Sequence, residues 1–302
     1  MGHLQALTVL TDWAQEWQLG ISIDRCCVLN LGIQLSAPHL FINNSELDVV
    51  LQARDLGILV SDSLSPTAHE LDIASKAHRR AKLILRTFTS QDIGLLIRAY
   101  VVYVRPLVEH NSIVWSPYTI EDIKTIECVQ RRFTKNLRGC SGYSYLERLR
   151  RLELQSLEHR RLLFDLIFCY KIVFGIVDVP MDDFFSFSTW TLTRAHKFIL
   201  YKKTGSLANQ SKLFSERVIN AWNSLPVNIV DFSTLSRFKC SISKVDFTSL
   251  MKRFWYCFYC LSIYLCFFFL FRGGSKCSLS LVRLAPYYSF IVFISRVIYW
   301  AK

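Results

Sequence analysis

The last acidic residue of this 302-residue chain is Asp246, and the segment after it carries seven basic side chains with nothing to offset them. Residues 1–246 hold 29 basic and 24 acidic residues, a net of +5, so the overall +12 comes mostly from the tail and overstates how basic the rest is. That moderate excess suits contact with nucleic acid without requiring it. A glycine-rich phosphate loop, an H-E-x-x-H and a G-x-S-x-G are all missing, which removes the chemistries those patterns mark. The seven histidines (3, 39, 69, 78, 110, 159, 196) stand singly, so sequence-local spacing spells no metal cluster. Nor do the ten cysteines form a regular framework. Most lie in apolar stretches such as Phe168-Cys169-Tyr170, where a free thiol behaves as a small hydrophobe, and reduced intracellular thiols are the expectation. Cys257-x-x-Cys260 has zinc or redox spacing but no second pair and no nearby histidine. The amino terminus has no basic stretch leading into an apolar one, so a signal peptide is not expected.

What is present is core-forming material, 51% of it hydrophobic, enough for about two domains. The order of signals indicates an α+β chain, predominantly helical: a small β remnant, a helical bundle and an apolar tail. Four stretches are expected: 1–63, a helix plus short strands; 64–175, helical; 176–246, a following region; and 247–302, apolar and basic.

Leu4, Leu7, Leu10, Trp13, Ala14 and Trp17 recur at three- and four-residue steps, predicting an apolar helix face that ends near Gly20. A short strand follows at residues 26–31. From 40 to 60 the pattern is a hairpin with an Asn43-Asn44-Ser45 turn, then two extended pieces closing on Ala53-Arg54-Asp55-Leu56-Gly57. Pro66 suits the first turn of a helix whose buried side is Leu71, Ala74, Ala77, Ala81, Ile84 and Leu85. The same helix carries Lys76, Arg79, Arg80, Lys82 and Arg86 with no acid among them. Five like charges in eleven residues repel unless something anionic offsets them. Asp92 caps the next helix, through Ile93, Leu96, Ala99 and Tyr100.

The centre of the chain is residues 99–161. Ile123, Ile126, Val129, Phe133 and Leu137 share one helical face and should be core. The other faces hold Lys124, Arg131, Arg132, Lys135 and Arg138, and the following segment adds Arg148, Arg150, Arg151, Arg160 and Arg161. Against these ten stand four glutamates (127, 147, 153, 158), a local net of +6. Such a stripe is either the solvated side of amphipathic helices or a track for a phosphate backbone. Trp115 is either a packing residue or a base-stacking one. Asp182 and Asp183 read as loop acids.

The succession Y-V-R-P-L-V-E-H-N-S-I-V-W-S-P from Tyr103, I-E-C-V-Q-R-R-F-T-K-N-L from Ile126, and F-S-E-R-V-I-N-A-W-N-S-L-P from Phe214 resembles the region downstream of the polymerase active site in reverse transcriptases of non-LTR retrotransposons. The resemblance is to the jockey and CR1-like LINE elements and covers roughly residues 4 to 240. It implies the last part of a palm, a thumb that grips template and primer, and a post-thumb region. The partner so implied is RNA and RNA–DNA duplex, held weakly and without sequence preference through Lys76, Arg79, Arg80, Lys82, Arg131, Arg132, Lys135 and Arg138. Arg54, Asp55 and Gly57 match the family's R-D-L-G strand at the primer grip. Arg25 stands where the family has a lysine thought to protonate the pyrophosphate leaving group, and an arginine releases its proton far less readily. The family's magnesium ions are held by aspartates upstream of the first helix, so this chain is expected to lack those ligands, to have no catalytic residues of its own and to be inactive alone.

Phe254 opens and Phe271 closes an uncharged run of eighteen residues, a candidate transmembrane segment at about the minimum length for a bilayer. A membrane is therefore a second candidate partner, and the alternative reading is a membrane-anchored protein with a structural helical domain. The tail also reads as translation past the end of a degraded element, and an expressed relic without a role is a third reading. The expected location is intracellular, in nucleus or cytoplasm, or at a membrane if the tail is an anchor.

Overall fold

The structure, a computed structural model, describes residues 2–31, 39–188, 196–202 and 214–251, and it is mostly helical with three small two-stranded sheets. The chain divides into two units, Met1–Trp255 and Tyr256–Lys302, and the second lies outside the described residues.

Helix α1 (Gly2–Glu16) leads to strand β1 (Cys27–Leu29), which pairs in parallel with β4 (Asp48–Val50). Between them β2 (Phe41–Ile42) and β3 (Ser45–Glu46) form a hairpin whose turn residues Asn43 and Asn44 both have positive φ, +49° and +64°. Asparagine tolerates that left-handed backbone, as tight hairpins of this hand require. β5 (Gln52–Asp55) and β6 (Ile58–Ser61) make a second hairpin, closed by Leu56 (φ +45°) and Gly57 (φ +87°).

The helical body follows as α2 (Thr67–Thr87), α3 (Ile93–Tyr103), α4 (Ser112–Trp115), α5 (Ile120–Lys135), α6 (Tyr145–Arg151) and α7 (Leu157–Val173). Starts are written locally. The Asp92 carboxylate accepts from the Gly94 and Leu95 amides, and Thr119, Ser144 and Ser156 accept from the amides three residues on. α5 buries its periodic apolar residues Ile123, Ile126, Val129 and Phe133, and Leu137, just beyond its end, is buried too. Ile126, Val129, Phe133 and Leu137 meet Ile73, Ala77, Ala81 and Ile84 of α2 and Leu96, Ala99 and Tyr100 of α3 in one core, where Tyr100 stacks on Phe133 at 4.6 Å. Trp115 lies in this core, edge-on to His69 at 5.3 Å, and its indole N–H donates to the His110 carbonyl, so it packs rather than stacks on a base.

A second core joins α7 to α8 (Phe214–Asn223) and α9 (Leu235–Ile242) around the fully buried Trp222. The Trp222 indole donates to Phe198, and His196 hydrogen-bonds the Trp222 carbonyl, which fixes the strand-like segment at 196–200 against α8. α7 serves both cores, through Leu157 in the first and Leu166, Cys169, Tyr170 and Ile172 in the second.

The predicted α1 helix forms with its apolar face largely uncovered, and one residue expected in the core is exposed. The α1 face is not core: Leu10, Trp13 and Trp17 are 47%, 50% and 64% exposed, and Ala14 is the buried member. Leu71 of α2 is likewise exposed, because the buried arc is centred on Ile73, Ala77, Ala81 and Ile84 and places residue 71 outside it. The membrane reading is also corrected. Among the described residues no helix is long and apolar enough to cross a membrane. The longest, α2, carries Glu70, Asp72, Lys76, Arg79, Arg80, Lys82 and Arg86, charges a bilayer would exclude. Residues 254–271 lie outside the described residues, so nothing described supports a membrane partner.

Candidate nucleic-acid interface

α2 and α5 pack side by side and run the same way. Near their starts the Thr67 hydroxyl donates to the Asp122 carboxylate at 3.5 Å, and about three turns along, His78 faces Arg132. Burial, and then the Arg132 charge, hold the His78 imidazole below its usual pKa. That register leaves two basic arcs on the outside. Arg79, Arg80 and Lys82 of α2 are exposed, and so are Arg131, Arg132 and Lys135 of α5 and Arg138 just beyond it. None of these seven has a carboxylate partner within 4 Å among the described residues. Arg80 donates to the Tyr103 carbonyl at 3.3 Å, and Arg131 lies over the Tyr145 ring at 5.3 Å. Uncompensated exposed cations on adjacent helices are what phosphate contact uses. Arg86, at the end of α2, shares the exposed arc with Arg79 and Lys82 and extends it.

The eighth predicted residue differs. Lys76 is paired to Asp72 at 2.7 Å, and the same carboxylate takes Arg54 at 2.8 Å. Those two partners hold the Asp72 carboxyl below its ordinary range, Lys76 first. Arg54 also donates to the Gly57 carbonyl at 3.1 Å, so it folds over its own turn and latches the β5–β6 hairpin onto α2. Lys76 and Arg54 are thus partly neutralised by this latch. Asp55 is exposed beside it, and Gly57 forms the left-handed corner. Arg25 is exposed at the end of the short 3-10 turn Ile23–Arg25, with no ion pair among the described residues and no described contact to α2 or α5.

The extension of the basic stripe beyond α5 is corrected more strongly. Arg148 is 4% exposed and donates to the Tyr143 carbonyl at 2.7 Å, the Thr134 hydroxyl at 3.2 Å and the Arg131 carbonyl at 3.4 Å. Arg161 is 3% exposed. Arg160 grips Glu109 with two guanidinium nitrogens, and Arg151 pairs with Glu147 at 3.3 Å while lying over the Tyr143 ring. Arg148 and Arg160 tie α6 and α7 to the body, Arg161 is buried and Arg151 pairs within its own helix, whereas Arg150 is exposed with no ion pair among the described residues, so the stripe beyond α5 is not a continuous phosphate track.

Beneath the interface lies an acidic cluster that periodicity did not signal. Glu127 of α5 accepts from the Tyr145 hydroxyl at 2.5 Å and from the Leu157 and Glu158 amides at 3.3 Å each, capping the start of α7 from another helix. Glu70 is fully buried with both carboxyl oxygens lacking hydrogen-bond partners, and burial, then the nearby Asp122 charge, push its pKa up to about 8. Arg161, whose terminal nitrogens are also without hydrogen-bond partners, pulls it back. Asp182 and Asp183 are exposed in the short turn Met181–Asp183. Among the described residues no group of three or more His, Cys, Asp or Glu could hold a metal ion.

Compared with known proteins, the chain is 27% identical over 132 residues to an uncharacterized protein of Caenorhabditis elegans, a stretch covering 43% of this chain and 67% of that protein. No protein-family model matches the chain, and no solved structure does.

Proposed function

We propose that this chain is the palm-to-thumb portion of a non-LTR retrotransposon reverse transcriptase and that its activity is sequence-independent binding of RNA and RNA–DNA duplex. The observation that carries this reading is the outer surface of α2 and α5, where seven exposed basic side chains stand without a carboxylate partner among the described residues. Cations left unpaired on neighbouring parallel helices repel one another, and a polyphosphate strand offsets that repulsion by displacing its own counterions. The ordered sequence resemblance from Tyr103 to Pro226 supplies the family and the duplex as ligand. The role proposed for the chain is to bind and position the duplex.

The test is a filter-binding assay on an RNA–DNA hybrid with the triple variant Arg79→Glu, Arg132→Glu, Lys135→Glu. All three positions are exposed, so thermal unfolding should stay close to that of the parent. Affinity should fall about a hundredfold or more, since each lost phosphate contact removes favourable counterion release and each new carboxylate repels the backbone. Equal affinity in variant and parent would remove this face as the binding surface.

A further inference from the structure

Between the two cores α7 presents Phe164, Ile167, Phe168 and Lys171 to the segment 105–113, and a cavity of about 450 Å³ opens between them. The four lie at i, i+3, i+4 and i+7 on one helical face, of which Ile167 and Phe168 also pack against the second core, Phe168 edge-on to Phe214 at 5.4 Å. Charged clamps hold both walls. Arg160 fastens α7 to Glu109, and Arg217 grips Asp165 at 2.9 Å through two nitrogens while donating to the Ile113 carbonyl at 2.6 Å. The cavity is therefore formed before any ligand arrives.

Its charge is not balanced. One carboxylate, Glu109, faces two guanidinium groups, because Arg105 also approaches it at 3.6 Å while lining the cavity. Burial and the adjacent Arg160 charge both depress the Arg105 pKa, as expected of a cation short of compensation. Lys171, on the opposite wall, has no ion-pair partner among the described residues. Between these cations the lining mixes Glu109, His110, Asn111 and Ser112 with apolar surface that includes Phe164, which lies under the Arg160 guanidinium at 5.4 Å, and Phe168. The volume falls in the ~300–1,000 Å³ range of small-molecule sites. A ligand that fits is an anion joined to a flat, stackable body.

We infer that this cavity binds a nucleoside 5′-phosphate unit, its phosphate between Arg105 and Lys171 and its base against Phe164 and Phe168. This rests on the reading that the chain handles nucleic acid; the unit is either a free nucleotide or the 5′-phosphorylated end of a strand. The cavity also lies next to the Arg54–Gly57 run singled out in the sequence. His110, on its rim, places Nε2 3.5 Å from the Leu56 carbonyl, so the β5–β6 turn sits beside the entrance.

The test titrates the full-length chain with AMP, adenosine and inorganic phosphate, and separately with a single strand carrying a 5′-phosphate or a 5′-hydroxyl. AMP should saturate, and adenosine should bind about tenfold more weakly or worse, the loss expected for a charge-assisted phosphate contact. Lys171→Glu should weaken AMP about tenfold or more, with Lys171→Gln intermediate, while hybrid-duplex affinity stays within about twofold. Competition of the 5′-phosphorylated strand with AMP identifies a strand end as the ligand; competition by free nucleotides alone identifies a soluble nucleotide. Adenosine binding as well as AMP, or both Lys171 variants binding AMP like the parent, would overturn the inference. The Arg79, Arg132, Lys135 variant separates the two readings. It should lose duplex and keep AMP; a variant that keeps both, or a parent that binds AMP and no duplex, would sink the interface and leave the cavity standing.

Discussion

Glu70 and Arg148 show how differently two charged residues can be spent. Glu70 sits in the interior with its pKa raised from 4.5 to about 8, so the folded chain keeps its proton where the unfolded chain gives it up. Between those two pH values the unfolded state binds fewer protons, and stability declines as pH rises from about 4.5 to about 8. Glu70→Gln removes that decline. Urea unfolding at pH 4.5 should find variant and parent alike, and at pH 8.5 the variant should be more stable; an unchanged difference across the range would contradict the buried protonated acid. Arg148→Ala should cost about 3 kcal/mol, because the deletion strands the Tyr143 and Arg131 carbonyls and the Thr134 hydroxyl. Lys135→Ala, on the exposed arc, should stay within about 0.5 kcal/mol of the parent in the same assay. In sequence the two residues look the same. A basic residue on an amphipathic helix reads as solvated, and nothing local says that a guanidinium turns inward to serve carbonyls. For Arg161 a signal existed: it is four residues from both Leu157 and Asp165, hence in phase with a buried face.

Among the elements, helices were far more legible than their environments. The repeat from Ile123 to Leu137, the Asp92 cap and the Pro66 start are local facts, and α5, α3 and α2 appear where those signals place them. What neighbours decide was less readable. The apolar stripe of α1 is as regular as that of α5, yet Leu10, Trp13 and Trp17 remain exposed, since periodicity records a face and not the surface that covers it. The Arg-Asp-Leu-Gly run was legible as an extended piece with a bend at Gly57 rather than as the corner of a hairpin of its own, and its latch to α2 through Asp72 was not legible, because Arg54 and Asp72 are eighteen residues apart. Gly57→Ala tests the corner. A Cβ there would meet the His110 ring nitrogen at 3.9 Å, an ordinary contact, so the cost is backbone strain at φ +87° and should be about 1–2 kcal/mol in thermal unfolding. No loss of stability would mean that the turn readily adopts another form.

In the whole described molecule, two hydrophobic cores share α7, and the basic residues sort by what those cores leave outside. Arginines at 148, 160 and 217 fasten helices together and Arg161 is buried, whereas Arg79, Arg80, Lys82, Arg131, Arg132, Lys135 and Arg138 stay exposed without a carboxylate partner among the described residues. The sequence showed the charge but not this division, which depends on the parallel register of α2 and α5 and on where Glu109 and Asp165 fall. The most direct measurement is the affinity of the full-length chain for an RNA–DNA hybrid as ionic strength rises from about 50 to 200 mM. Each phosphate contact contributes about −0.9 to the slope of log K against log salt, so four or more of the seven cations give a slope of about −4 or steeper. A flat dependence, or no binding at the lowest salt, would contradict the account.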